Sequence, residues 1–469
     1  MQKRLFLIAF LFVLAVGFGV AQNDTSSAGT TDAGPRVIDI DSAVKLALQN
    51  NLQLETERLT VEQKRRSKDT VWNRFIPSLS AGATMARTNL EQTNPITSQP
   101  YPRWNLSATL QARLDLTVSL FQGIRLTVQD YEAGLLSLAD TRKKIERDVR
   151  KQFYNILLLE QQIQLTRDSI DQAQKRYEQT KVNYDNGLVD EYTLLSSQVA
   201  LENIKPQLEN LQLAHRNAIM GFNQMLGLDV NKETTLKGNI EPQMVSLNTD
   251  ELIKSHLSDR FDLQQIRQYI QILKTQKEAI VGGDGQSAGL LPVLSFGFTA
   301  DPTFQGDPTS DPLFADISND WQQTSRGAFS ITITQPLDGL VPGSQTRVRI
   351  ANLENDIQKQ YVNLQQATEG AEIQVRGTIQ NLNKVQQTLK VKELNVTLAE
   401  RAYSLAQEAY QAGTRDLLEV QNAEQELRQA RVQVLSEKYN YVSGLLDLEY
   451  ALNASLDELQ GKDKNEGSN

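Results

Sequence analysis

From Trp104 to Leu120 every second residue is apolar: Trp104, Leu106, Ala108, Leu110, Ala112, Leu114, Leu116, Val118 and Leu120. The residues between them, Asn105, Ser107, Thr109, Gln111, Arg113, Asp115, Thr117 and Ser119, are all polar. Strand side chains point alternately to opposite faces, so this period predicts a strand with one apolar and one polar side. The run exceeds the roughly 9–11 residues that cross a bilayer as a tilted strand, so part of it is expected to extend beyond the bilayer. Weaker alternation predicts a partner strand carrying Leu79, Ala81, Ala83 and Met85. A second pair carries Leu294, Phe296, Phe298 and Ala300, then Phe329, Ile331 and Ile333. The joining stretches, roughly 89–103 and 301–326, contain Pro95, Pro100, Pro102, Pro302, Pro308 and Pro312 and are not expected to be strand. Tyr101, Trp104, Phe304, Phe314 and Trp321 lie in or beside them, where an interfacial aromatic girdle would sit.

After each second strand the period changes from two to steps of three and four. Val149, Phe153, Ile156, Ile163, Ile170, Ala173 and Tyr177 form one seam, and Val375, Ile379, Leu382, Leu389, Val396 and Tyr403 another. These predict helices from about 124 to 185 and about 347 to 411, packed side by side over many turns. At 1.5 Å per residue each reaches roughly 90–100 Å. Each ends at a glycine, Gly187 or Gly413, where positive φ lets the chain turn back. The returning helices are expected near 190–226 and 416–452, with a kink at Pro206. Gly187 and Gly413 are 226 positions apart, and the same offset relates Tyr177 to Tyr403, Asp190 to Asp416 and Leu226 to Leu452. The chain is therefore a duplicated unit.

The start, Met1-Gln2-Lys3-Arg4 followed by an apolar run from Leu5 to Val20, reads as an export signal over 1–21. Removing Lys3 and Arg4 takes the formal charge from −9 to −11, which argues against nucleic acid as a partner. There is no cysteine, hence no disulfide framework and no thiol for a lipid anchor. No later stretch has 18 consecutive apolar residues, so any membrane crossing must use strands. Four strands cannot close a barrel, because small barrels need about eight. Several copies must then pool them. The expected divisions are a disordered leader at 22–36, a first repeat at 37–228, an equatorial linker at 229–248, a second repeat at 249–456, and a disordered polar tail at 457–469.

The export signal, the repeated strand pairs, the long helices and the glycine tips together resemble the TolC-like outer membrane efflux proteins. Their carriers are Ala47 to Leu54, Pro77-Ser78-Leu79, Leu116 to Gly123, Thr334 to Gly339, and the tip Tyr410 to Glu419. The resemblance implies an α+β membrane protein: a trimeric twelve-stranded β-barrel with four strands per chain, continued by an α-helical coiled-coil tunnel in the periplasm. It also implies outer-membrane lipid around the barrel, a periplasmic adaptor (membrane fusion) protein at the tips, and an inner-membrane transporter. Adaptor contact carries over to Gly187, Leu188, Val189, Gly413, Thr414 and Arg415. The gate latch matches Tyr410 and Arg415. Its partners fall on Tyr192 and Thr193, where the family prototype has a threonine and an aspartate, so the latch salt bridge is missing. The constriction carboxylates match Glu419 and, with a change of type, Asn422.

No cofactor, metal or enzymatic activity is expected. His215 and His256 stand apart, and no nucleophile motif occurs. Gly283 to Ala288 fits G-x-G-x-x-A but follows a helix and precedes a strand, the reverse of the nucleotide context. The expected function is a passive exit duct for an efflux or type I secretion system. The alternative is a periplasmic coiled-coil scaffold without a pore.

Overall fold

The computed structural model describes residues 36–90, 93–98, 100–101, 103–283, 289–306, 321–322 and 327–459. The expected export signal, most of the leader, Pro308, Pro312 and Phe314 lie outside them. The first repeat contains β1 (Arg36–Ile38), α1 (Ile40–Asn50), α2 (Leu52–Asp69), a 3-10 turn at Val71–Phe75, β2 (Ser78–Arg87), β3 (Trp104–Leu116), α3 (Val118–Asp185) and α4 (Glu191–Met225). After β4 (Thr234–Leu236) follow α5 (Thr249–His256), α6 (Phe261–Val281), β5 (Val293–Ala300), β6 (Thr303–Gly306), β7 (Trp321–Gln322) and β8 (Ala328–Thr334). The chain then forms α7 (Gln345–Gln411), α8 (Leu417–Leu452) and the short α9 (Leu456–Leu459).

Two boundaries differ from the sequence reading. The alternation runs to Leu120, but the strand stops at Leu116. The Thr117 side chain accepts from the Leu120 N–H and caps α3, so Val118 and Leu120 belong to the helix. The stretch 301–326 also contains short strands, β6 and β7. Pro302 lacks an N–H, yet its carbonyl still accepts from the Ala108 N–H at 3.0 Å. It therefore interrupts a strand without ending it. β5 and β6 lie on β3 in one register, with Leu110 opposite Ala300 and Ser107 opposite Thr303.

The sheet is an antiparallel meander. β2 pairs with one edge of β3, β5 and β6 pair with the other, and β8 and β7 pair with β5 and β6 respectively. Among the described residues β2 and β8 each keep one edge without a strand partner.

Besides a small cluster of Ala173, Leu201 and Ile204 between α3 and α4, the helices bury two larger apolar clusters among the described residues, one per repeat. The first joins Ala43 and Ala47 of α1, Val149, Phe153 and Ile156 of α3, and Phe222 of α4. The second joins Val375, Ile379 and Leu382 of α7 with Tyr441, Leu448 and Leu452 of α8. Val149 and Val375, Phe153 and Ile379, Ile156 and Leu382, and Phe222 and Leu448 are each 226 positions apart and buried. The duplication is thus one packing solution used twice. Gly227 and Asn453, again 226 apart, end α4 and α8 in the left-handed conformation. Pro206 sits inside the continuous α4.

The linker crosses between the clusters and is tied to both. The Lys237 N–H donates to the Ile38 carbonyl at 2.9 Å, and Ile240 is buried in the first cluster. Farther on, the Val245 N–H donates to the Tyr441 hydroxyl at 3.0 Å within the second. Tyr441→Phe would strand that buried donor, with an expected loss of about 1–3 kcal/mol in stability, read by denaturant melting. At the far end, Leu459 of α9 is buried against the second cluster, so ordered chain extends into the expected tail.

Candidate functional site

Register decides what each face of the sheet carries. Leu79 lies opposite Ala112, Ala81 opposite Leu110, and Met85 opposite Leu106. Across the next ladders Ala112 meets Phe298, Leu114 meets Phe296, Phe296 meets Ile331, and Leu294 meets Ile333. Directly paired residues share a face, so every one of these apolar side chains lies on the same side. Leu79 and Ile333, on the two edge strands, are 75% and 74% exposed. An apolar surface of this extent, four strands wide, is rarely left facing water and marks a surface that meets lipid or another protein. The other face carries Ser80, Thr84, Thr109, Gln111, Thr299 and Thr332. There Arg113 Nε donates to Asp115 at 3.0 Å, and Ser295 Oγ donates to the same carboxylate at 2.6 Å. Among the described residues no helix is long and apolar enough to cross a membrane.

At the opposite end of the long helices both tips close in one way. The Gly187 N–H donates to the Tyr184 carbonyl and the Leu188 N–H to the Asn183 carbonyl. Gly413 and Thr414 repeat this with Tyr410 and Ala409. This double bond pattern needs a left-handed residue, and φ is +73° at Gly187 and +68° at Gly413. A Cβ at either glycine would meet no atom within 4 Å, so backbone conformation rather than space dictates glycine there.

Each returning helix starts differently. The Asp190 carboxylate accepts from the Thr193 N–H and hydroxyl, and the hydroxyl bond holds its pKa below the usual carboxylate value. Asp416 makes no such cap. Instead Arg415 Nη1, in the tip loop before α8, lies 2.6 Å from Glu419 Oε2 in the first turn of that helix, and this bond raises the pKa of the guanidinium.

The outer membrane efflux protein profile matches residues 43–228 and 252–454, covering both repeats. The chain belongs to the outer membrane efflux protein family. It is 21% identical over 395 residues to the outer membrane protein TolC of Salmonella enteritidis, spanning 81% of this chain and 74% of that one. Its fold is shared with the CmeC outer membrane channel of Campylobacter jejuni, with a TM-score of 0.73 and 17% identity over 90% of this chain and 86% of that one. VceC of Vibrio cholerae gives a TM-score of 0.70 with 16% identity, covering 89% and 96% of the two chains. As a member of this family the protein resides in the outer membrane, with its helical part in the periplasm.

Within this efflux protein the sequence-derived site residues fall at the tips, and some of them meet. Arg415 and Glu419, assigned to latch and constriction, are partners of each other. Tyr192 is 75% exposed, Thr193 is held by Asp190, and Tyr410 is half-buried. Among the described residues no hydrogen bond or ion pair joins Tyr410 or Arg415 to Tyr192 or Thr193 within the chain. Asn422 is exposed, as are Leu188 and Thr414, while Val189 is half-buried. The described residues contain no group of three or more side chains suited to a metal ion.

Sequence reasoning missed two charged ties between the hairpins. Lys151 of α3 holds Asp447 of α8 at 2.8 Å. Beside it Tyr450 donates to Asp140 at 2.8 Å, and burial together with that carboxylate pushes the phenol up to about 12. Nearer the tips, Arg176 of α3 holds Glu424 of α8, both side chains largely buried. A signal existed: Leu417, Val420, Glu424 and Leu427 step by three and four, so Glu424 is a carboxylate on an apolar seam.

Proposed function

We propose that three copies of the chain assemble into a twelve-stranded barrel continued by a helical tunnel. The assembly is a passive exit duct for an inner-membrane transporter, reached through a periplasmic adaptor. The observation that carries this reading is the sheet: one face apolar across all four strands, with Arg87 only at its end beside Trp104, and two unpaired edges. Unpaired backbone edges are not tolerated in lipid, so β8 of one copy pairs with β2 of the next until the ring closes. The polar face, with Arg113, Asp115 and Ser295, then lines water. The family supports efflux of small molecules as the cargo; protein export through a type I system uses the same architecture.

The adaptor docks at the exposed tips, at Gly187, Leu188, Val189, Gly413, Thr414 and Arg415. Three symmetry-related Glu419 carboxylates ring the constriction, with Asn422 one turn farther in, and favour cations. The test is single-channel conductance of the purified trimer in a planar bilayer. Wild type is expected to give small cation-selective currents, and Glu419→Gln should lower the selectivity. Conduction with unchanged selectivity would remove Glu419 from the gate. Protein that neither inserts nor oligomerises would overturn the duct.

A further inference from the structure

Near the middle of α3 and α7, the end of α8 meets the start of α6. Both α6 and α8 pack on the two long helices, and Asn453 Nδ2 lies 3.5 Å from the Asp259 carbonyl. Around this junction is a cavity of about 570 Å³, walled by Arg147 of α3, Arg260 just before α6, Gln374, Gly377 and Thr378 of α7, and Asp447 of α8. That volume falls within the roughly 300–1,000 Å³ of small-molecule sites. The duplication shows where the space comes from. Subtracting the repeat offset (377 − 226 = 151) sets Gly377 where the first repeat has Lys151, and a Cβ on Gly377 would meet no atom within 4 Å. The Arg260 side chain is only 10% exposed. Its Nε and Nη2 donate to Asp262, and Nη2 also donates to Gln374 Oε1 at 3.0 Å, but Nη1 is buried with no acceptor. Arg147 is bound by Asp148 and lies 4.2 Å from the centre of the Tyr450 ring, which fixes it at the cavity. Asp447, the carboxylate in the wall, is already engaged by Lys151 at 2.8 Å. A buried N–H without an acceptor is costly, so Nη1 points to an acceptor that the chain itself does not supply.

We propose that this cavity binds a small polar organic anion, whose carboxylate or phosphate oxygens accept from Arg260 and Arg147. Hydrogen bonds between a guanidinium and an oxyanion are among the strongest a protein makes, and planar forks suit both groups. The Thr378 hydroxyl donates to the Gln374 carbonyl and keeps lone pairs with which to accept. With the Asn381 amide, also in the wall, it suits hydroxyl groups on the body of the ligand. The first repeat has no equivalent site. Asn51 stands before α2 as Arg260 stands before α6, but its Nδ2 is spent on the Met225 carbonyl at 2.8 Å. Each chain therefore carries one site. It is complete within one chain and does not rest on the duct reading.

The test is isothermal titration calorimetry of the purified full-length protein in detergent. Three probes share a six-carbon body: gluconate, glucose 6-phosphate and neutral glucose. At least one of the two anions should saturate one site per chain, and glucose should not bind. Whichever anion binds more tightly identifies the oxyanion as carboxylate or phosphate. Arg260→Gln and Arg147→Gln should each weaken that binding about tenfold. Gly377→Leu keeps both guanidinia but fills the space, and should weaken it as much. Arg376→Gln removes an exposed guanidinium of α7 that pairs with Asp250 and Glu372 outside the cavity, and should bind like wild type. The proposal is overturned if neither anion binds saturably, if glucose binds equally well, or if Arg376→Gln weakens binding as much as Arg260→Gln. Should Arg260→Gln not fold, Arg147→Gln and Gly377→Leu decide the question, and wild-type affinity in both overturns it.

Discussion

Ile331→Arg should keep the chain from inserting stably into lipid, whereas Thr332→Arg, one residue on, should be tolerated. Ile331 lies opposite Phe296 on the apolar face, and Thr332 lies opposite Ser295 on the polar face. A cation at the bilayer midplane of a barrel's outer surface costs about 2–4 kcal/mol, and a trimer carries the change three times. A cation facing the interior meets water and the Asp115 carboxylate already bonded by Ser295. The measurement is refolding from urea into phospholipid vesicles, followed by flotation and protease protection. Insertion of Ile331→Arg at the wild-type level would mean that this face does not meet lipid, and the barrel built on it would fall.

The second large effect is expected deep in the helical part. Phe153 is 1% exposed at the junction of α1, α3, α4 and the linker. Its ring lies 6.2 Å from that of Phe222 and 5.9 Å, edge-on, from that of Tyr154. Gly238 of the linker runs so close that an added Cβ would sit 3.0 Å from the Phe153 ring. Nothing nearby can collapse into the space the ring would leave, because each neighbour belongs to a different element fixed by its own packing. Phe153→Ala should therefore cost about 3–5 kcal/mol per chain. Its counterpart Ile379→Ala, at the same place in the second repeat, removes a smaller side chain and should cost about 2–5 kcal/mol. Denaturant unfolding, followed by far-ultraviolet circular dichroism, measures both. Equal and small losses would show that the two clusters are looser than their burial indicates.

Much of the architecture was readable because its causes are local. Alternation along β3 follows from the geometry of one extended strand, and the tips follow from the backbone freedom of Gly187 and Gly413. The 226-residue offset records a duplication, and the seam from Val149 to Tyr177 needs only the helical repeat. Element boundaries were less accessible. Where β3 yields to α3 depends on whether Thr117 accepts from Leu120, a choice between two local hydrogen-bond patterns that alternation does not reveal.

The site divides in the same way. The sequence by itself determined which residues stand at the tips, that one strand face is apolar, and that one chain holds too few strands to close a barrel. Only the tertiary structure decided which charges meet. On helices rich in Gln, Glu, Lys and Arg, a charge has several partners within reach along the chain and others on neighbouring helices. The rotation and depth of each helix select among them. Those coordinates give Arg415 to Glu419, Lys151 to Asp447 and Arg176 to Glu424. They also leave Glu424 Oε1 without a partner, because packing three helices against one another fixes which side chains face the cavity between them.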